Sequence, residues 1–229
     1  QGKTRLELIL LPIGTGADLA KSLTIPEDWQ AAINVIKHGS TRLIDVGKVV
    51  FKTATKTWQR YFANVFDAGL GGNVDRIANT LPKGIGGFLT FLYSSLIALI
   101  TFRPMRIKVW LDKKLIEDGL ITIIGAANGE YFGGDMHLAP MALPDDGLFE
   151  VIYVKDTNMF KFLVHVLGKV YQAGHLEYRN VYHYQGREIK IQAERLFLTD
   201  VDGEVEKAQE VTISLIPKAI KIRVPKDMV

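Results

Sequence analysis

Apolar and polar positions along this chain follow two different periods, and the change between them falls near residue 40. Residues 6–11 form a short continuous apolar run. Gly14, Thr15 and Gly16 follow, then an apolar-rich stretch over 17–23, an order that predicts a buried strand, a glycine turn and a helix. Pro26 opens a second predicted helix over 27–37, with Glu27 and Asp28 in the first turn, where the helix dipole favours acids, and His38 and Gly39 at its end. Beyond residue 40 an alternation of period two takes over. Runs at 42–51, 60–66, 105–111, 120–128, 148–154, 188–193, 211–215 and 219–224 read as strands. Ile107, Val109 and Leu111 face one way with Lys108 the other, and Ile220, Ile222 and Val224 alternate with Lys221 and Arg223, as in half-buried antiparallel strands. Helical spacing returns at 71–81 and at 158–173, where Phe160, Leu163, Val164, Leu167, Val170 and Tyr171 share a face. The pattern therefore predicts an α+β chain. Residues 1–40 carry a single strand-helix unit of the kind from which α/β domains are made, and residues 41–229 a mainly antiparallel β domain with inserted helices.

The run at 85–102 fits two descriptions. Its length of roughly eighteen residues is the lower edge of what crosses a bilayer. Gly84, Gly86 and Gly87 crowd its start, Tyr93, Ser94, Ser95 and Thr101 interrupt it, and Arg103-Pro104 ends it. A buried or groove-lining helix is predicted, with a helix dipping into a membrane as the alternative. With 48% hydrophobic and 23% charged residues the chain is a folded protein with apolar surface for one large or two modest cores. The absence of cysteine excludes disulfides and thiolate metal sites, and favours a cytoplasmic over a secreted location. Residues 6–11 are too short for a signal peptide and lack a small-residue cleavage site. A net charge of +3 is too mild for nucleic-acid binding, whereas contact with anionic lipid needs less.

Four segments could carry chemistry. Gly14-Thr15-Gly16-Ala17-Asp18 lies between a strand and a helix, where unpaired backbone N–H groups and the helix dipole favour a phosphate. The same turn also serves as a capped helix start, with Thr15 or Asp18 bonding the free N–H groups. Asp18 repels a bare phosphate, so a nucleotide there would arrive with Mg²⁺; no Gly-Lys-Ser/Thr follows, so this is not a Walker loop. Residues 128–136 carry Gly129, Gly133 and Gly134, which implies a tight hairpin or a close backbone approach. Pro144-Asp145-Asp146-Gly147 is a turn feeding a strand, and one of its carboxylates with neighbouring carbonyls suits Mg²⁺ or Ca²⁺. Asp200, Asp202 and Glu204 fall within five positions and would share one face of a strand, an arrangement suited to a general base whose pKa its neighbours raise. A solvated acidic hairpin tip explains them equally well. His38, His137, His165, His175 and His183 show no ligand spacing, and no serine has a nucleophile-elbow context.

The order of these segments resembles the diacylglycerol kinase catalytic-domain family, which includes sphingosine kinases and bacterial lipid kinases. Leu11-Pro12-Ile13-Gly14-Thr15-Gly16-Ala17-Asp18-Leu19-Ala20 is similar to its Leu-Pro-x-Gly-Thr-x-Asn-Asp-Phe-Ala segment. Phe62-Ala63-Asn64-Val65 with Asp67-Ala68-Gly69, then Gly133-Gly134-x-Met136, Ala139-Pro140-x-Ala142, Asp146-Gly147, Val201-Asp202-Gly203-Glu204, Ile216-Pro217-x-Ala219 and Val224-Pro225 continue the likeness over nearly the whole chain. The resemblance implies that residues 1–40 are the last strand-helix unit of an α/β nucleotide-binding domain and residues 41–229 a mainly antiparallel two-layer β-sandwich domain with inserted helices, and it implies ATP-dependent phosphorylation of a lipid hydroxyl on a diacylglycerol or sphingoid-like substrate. Gly14, Thr15, Gly16 and Asp18 would lie at the nucleotide, Glu204 would be the base with Asp202 assisting, and Mg²⁺ would be held by Asp146 with Leu143 and Leu148. It also implies a cytoplasmic protein at a membrane surface, with apolar residues 87–102 and the basic Arg103, Arg106, Lys113 and Lys114 helping lipid entry. A homodimer is left open. Two departures stand out: Ala17 replaces the family's Asn, and the Gly-Gly-Asp-Gly-Thr that cradles ATP is absent, Gly133-Gly134-Asp135 being a decoy on the wrong side of the Gly14 turn. The expectation is a fragment lacking most of the ATP site. A non-catalytic lipid- or anion-binding module of the same family is the alternative, and an NAD kinase-type protein ranks below both.

Overall fold

The computed structural model describes residues 6–13, 17–78, 80–81, 93–95, 97–98, 100–155 and 157–226. Gly14, Thr15 and Gly16, and most of the 85–102 run, lie outside the described residues. After the short helix α1 (Asp18–Ser22) and α2 (Trp29–His38) come β1 (Ser40–Lys52), β2 (Thr57–Phe62), β3 (Val65–Gly69) and helix α3 (Leu70–Ala78). The rest is β4 (Met105–Leu111), β5 (Lys114–Ala127), the hairpin β6 (Tyr131–Phe132) and β7 (Met136–His137), β8 (Phe149–Lys155), β9 (Val181–Gly186), β10 (Glu188–Val201) and β11 (Glu204–Val224).

Apart from that hairpin the strands form one antiparallel sheet in the order β2-β1-β11-β10-β3-β5-β8-β9, with β4 beside β3 in the gap between β10 and β5. The sheet closes over itself into two layers. Phe62 at the end of β2 stacks on Phe149 at the start of β8, centroids 5.5 Å apart, although these strands lie near opposite edges of the pairing order. Between the layers Val49, Phe51, Phe66, Val109, Val151 and Ile191 are fully buried. Strand β4 shows how the pattern dictates the packing: Ile107, Val109 and Leu111 enter this core while Arg106 and Lys108 stay outside. The run over β8 is buried on both sides because a second layer covers its outer face. Val154 packs there with Leu70 and Val74 of α3, with Ala98, and with Phe162 and Val166. Residues 17–38 are not a free appendage. Ala20, Leu23, Ile25 and Ala32 share a core with Ile44 of β1 and with Ile222 and Val224 of β11.

Several expectations need correction. Residues 6–13 are extended but not buried: only Leu8 joins a ladder, through Leu8 N–H to the Lys221 carbonyl (2.8 Å) and Arg223 N–H back to Leu8 (3.0 Å), and Leu6 and Ile13 are largely exposed. A continuous apolar run reports the environment a segment suits, not the neighbours that would cover it. The strand expected at 60–66 is two, broken at Ala63-Asn64. The runs at 211–215 and 219–224 are one strand, which passes Pro217 at a bulge where Lys218 N–H turns to the Asp45 carboxylate at 2.6 Å. The helix expected at 158–173 is a short helical turn (Met159–Phe162), a π-turn (Leu163–Leu167) and 3₁₀ turns. β9 was missed because half of it is polar; Tyr182 and Tyr184 stack against Tyr153 at 5.1 and 6.1 Å. Within 93–101 the described residues are helical, with Ser94 and Ala98 buried and Ile100 exposed. Among the described residues no helix is long and apolar enough to cross a membrane.

Candidate functional site

The turn joining β10 to β11 is a two-residue hairpin in which Asp202 (φ 49°) and Gly203 (φ 94°) are both left-handed, the geometry that suits the right-handed twist of the flanking strands. This overturns the expected shared face. Asp202 lies in the turn, Asp200 pairs with Val205 and Val201 pairs with Glu204, so Asp200 and Glu204 point to opposite faces. Each acid has its own surroundings. Asp200 is buried and takes the Gly203 N–H at 2.9 Å. Burial, aided by the negative charges of Asp202 and Glu204, pushes its carboxyl up to about 6. On the next strand Asp67, also buried, lies directly across from it, and the start of α3 packs onto the Asp67 carboxylate.

The Asp202 carboxylate accepts three successive backbone N–H groups, from Ala63 (2.8 Å), Asn64 (3.2 Å) and Val65 (2.9 Å), and Asp202 N–H donates to the Val65 carbonyl. Packing of the turn raises its carboxyl above the ordinary range, while the N–H groups of Ala63, Val65 and Asn64 pull it back. These bonds break the β2–β3 run at residue 63. Glu204 differs: it is exposed, and among the described residues no hydrogen bond or ion pair holds its carboxylate.

The 63–65 segment then meets the start of the chain. The Asn64 carbonyl accepts from Asn128 N–H (2.8 Å) and Gly129 N–H (3.2 Å), and the Asn128 side chain donates to the carbonyls of Ala63 and Asp45. Ser22 of α1 accepts Glu130 N–H at 3.0 Å, and its own hydroxyl donates to the Asp18 carbonyl. The Asp18 carboxylate does not cap its own helix. It accepts from Gly134 N–H (3.1 Å) and Asp135 N–H (3.0 Å), where Gly133, Gly134 and Asp135 are all left-handed and form an anion-cradling nest. Lys21 pairs with Asp135 and Glu27, and the bond to Asp135 raises its pKa. Gly133-Gly134-Asp135 is thus the seat of Asp18. The sequence marks Asn64 and Asn128 only as members of the 62–65 and 128–136 segments and does not mark Ser22 at all, because no motif identifies a side chain whose partners are backbone atoms.

In the Pro-Asp-Asp-Gly turn, Arg42 holds Asp145 in a two-pronged pair (2.9 and 2.8 Å) that lowers the Asp145 carboxyl. Buried Asp45 accepts Gly147 N–H at 2.8 Å. Asp146 accepts Leu148 N–H at 2.9 Å, and its N–H reaches the Leu143 carbonyl at 3.5 Å. Burial, with Glu150, Asp45 and Asp145 nearby, pushes the Asp146 carboxyl up. Among the described residues no three His, Asp or Glu side chains gather as a metal cluster, so an ion at this turn would rest on one carboxylate and backbone carbonyls. Such oxygen donors, with a carboxylate crowded by other acids, fit a hard divalent cation. Of the four basic residues expected to act together, Arg103 and Arg106 lie at the start of β4, while Lys113 and Lys114 lie at the far end of the β4–β5 hairpin, about 20 Å away at a strand's rise per residue.

Comparison with known proteins bears on the same segments. The diacylglycerol kinase catalytic domain profile matches residues 1–49. A Shewanella frigidimarina protein named probable lipid kinase YegS-like is 28% identical over 96% of this chain and 68% of its own length. A diacylglycerol kinase of Staphylococcus epidermidis is 26% identical over 98% of this chain and 68% of its own. In fold, the crystal structure of a diacylglycerol kinase from Bacillus anthracis superposes with a TM-score of 0.68 at 20% identity, covering 97% of this chain and 68% of that one. Yeast NADH kinase superposes with 0.52 at 10% identity, covering 89% and 51%. Since the profile described as the YegS C-terminal NAD kinase beta sandwich-like domain runs over residues 64–224, through Asn64 and Val65, the Gly133–Asp135 seat and the acidic turn, the chain belongs to that family.

Proposed function

We propose that this chain serves an ATP-dependent lipid kinase, moving the γ-phosphoryl group of ATP to a lipid hydroxyl, diacylglycerol or a sphingoid-like alcohol, at a membrane surface. The observation that carries the reading is the division of labour at the β10–β11 turn. Asp202 is committed to three backbone N–H groups and fixes the turn, and Glu204 keeps its carboxylate free beside it. In this reading Glu204 accepts the hydroxyl proton as the oxygen attacks phosphorus, and Asp202 assists by holding Glu204 in place. Gly14, Thr15 and Gly16 sit at the nucleotide phosphates. Asp18, anchored on the Gly133–Asp135 nest, fixes the helix that follows them. Mg²⁺ at Asp146, with the carbonyls of Leu143 and Leu148, would neutralise the crowded acids of that turn and stiffen it.

The test uses the protein expressed from its complete reading frame, with transfer of labelled γ-phosphate from ATP to diacylglycerol and to sphingosine in mixed micelles. Glu204→Ala should lower turnover about 10²- to 10⁴-fold. Wild-type turnover in that variant would reject Glu204 as the base. No transfer by the wild type to any lipid hydroxyl would leave a lipid- or anion-binding module instead.

A further inference from the structure

Between the start of β4 and the outer half of β10 lies a cavity of about 330 Å³, at the small end of the range for ligand sites. Its walls are largely apolar, from Phe102, Met105, Ile121 and Leu196, and two arginines, Arg103 and Arg195, stand in its lining with no carboxylate among the described residues. Its other polar side chains spend donors on the backbone: Thr101 on the Ile97 carbonyl (2.8 Å) and Asn73 on the Gly69 carbonyl (2.9 Å). The arginines do not. Among the described residues neither forms an ion pair, whereas neighbouring Arg106 is matched by Asp118 at 2.9 Å. A half-apolar cavity with two uncommitted guanidinium groups suits a phosphate or another oxyanion on an apolar stem.

The rim indicates what brings that anion. Between Gln192 and Phe197 strand β10 bulges away from β11, which lifts Arg195 and Leu196 outward; Leu196 is 56% exposed. Next to the lining residue Thr101, Ile100 is 82% exposed. Large apolar side chains flanking arginines are ill-suited to a hydrated free anion and well suited to a bilayer surface, where the apolar groups enter the interface and the guanidinium groups lie at head-group level. We propose that this cavity receives the phosphate-bearing head group of an anionic membrane lipid, as a docking site separate from the acids of the β10–β11 turn. Leu198 in its lining precedes Asp200 by two residues, about 7 Å along β10, so a lipid held here brings the bilayer surface beside that turn. The inference rests on the lipid-kinase reading only in taking lipid as the medium.

The test is co-sedimentation of the full chain, without ATP, on phosphatidylcholine vesicles with and without phosphatidic acid. Wild type should bind the acidic vesicles, and Arg103→Gln with Arg195→Gln should weaken binding about fivefold per arginine. Lys113→Gln with Lys114→Gln removes the same charge at the far end of the hairpin and should weaken it less than about twofold. Equal losses in the two double variants, or no preference of the wild type for acidic vesicles, would overturn the proposal. A second arm needs no variant: soluble short-chain phosphatidic acid should displace the wild type from vesicles, and inorganic phosphate at the same concentration should not. Equal displacement by inorganic phosphate would reassign the cavity to a free anion and overturn the lipid assignment. A chain that binds as expected yet transfers no phosphate would reject the kinase and leave the docking site standing.

Discussion

Asp202→Ala should unfold the chain more easily while Glu204→Ala should not, although the two residues are neighbours across one glycine. Asp202 accepts the N–H groups of Ala63, Asn64 and Val65. Bonds to a charged acceptor contribute about 1.5–3 kcal/mol each where water cannot replace them. Water can reach Ala63 and Asn64 N–H, so most of the loss falls on Val65, which is buried. Discounting the first two gives a net cost of about 2–4 kcal/mol for Asp202→Ala. For a chain of this length that lowers Tm by about 5–15 °C. Glu204 is exposed and holds no partner among the described residues, so its truncation should stay within about 0.5 kcal/mol. The assay is thermal unfolding followed by circular dichroism at neutral pH, with phosphate transfer measured on the same preparations. Equal Tm for wild type and Asp202→Ala would refute the strut. A Tm drop in Glu204→Ala as large as that in Asp202→Ala would refute the separation of the two roles.

Asp200→Asn tests the buried acid. Its folded carboxyl titrates at about 6 against an ordinary 3.8, so the folded chain holds the extra proton between those values. Wild-type stability should therefore fall as pH rises from about 4 to about 6, and chemical denaturation across that range should show the variant without this slope, gaining on the order of 3 kcal/mol over the wild type at neutral pH relative to acid; parallel curves would refute it. Ala17 is left-handed (φ 49°), a conformation that costs an alanine about 1 kcal/mol and that asparagine and glycine tolerate. Ala17→Asn and Ala17→Gly should both raise Tm, and a fall in both would show that the methyl group matters more than the strain. At Gly129 a Cβ would stand 2.2 Å from Asn64 Oδ1 and 2.8 Å from Ser22 Oγ. Gly129→Ala should cost about 1–3 kcal/mol by forcing α1 and the 63–65 segment apart, and an unchanged denaturation midpoint would refute that contact.

Legibility followed the range of the interaction. β4 was read to the residue because its alternation of Ile107, Val109 and Leu111 with Arg106 and Lys108 is set by one buried face. The break at residue 63 was not, since nothing in Phe62-Ala63-Asn64-Val65 ends a strand; an acid at position 202 does. The three acids at 200–204 were noticed, but their shared face was wrong because a two-residue turn reverses the side on which Glu204 emerges. The glycines at 133–134 imply a tight hairpin or a close backbone approach, and both hold: they are left-handed in the β6–β7 hairpin, and the Gly134 N–H meets Asp18. That they seat the Asp18 carboxylate could not be read, because a nest advertises an anion without saying which one. Arg195 carried no signal at all: its significance comes from a bulge, and bulges are set by the pairing of two strands.

The same bonds explain why segments so far apart in sequence can act as one. Val65 is tied to the acidic turn by the Asp202 carboxylate, and Asn64, the residue before it, is tied to Asn128 and Gly129 by its carbonyl. Glu130, the residue after Gly129, binds the Ser22 hydroxyl, and Ser22 lies in the helix that Asp18 opens. The turn that carries Glu204 and the helix that follows Gly14, Thr15 and Gly16 are therefore both tied to a single backbone segment, through the Asp202 carboxylate, the main-chain bonds of Asn64 and the Ser22 hydroxyl. Each of these bonds has at least one main-chain partner, which has no rotamer to change. A phosphate at the Gly14–Gly16 turn and a hydroxyl beside Glu204 would then be positioned by the same strut, and positioning with charge neutralisation is most of what phosphoryl transfer requires of a protein.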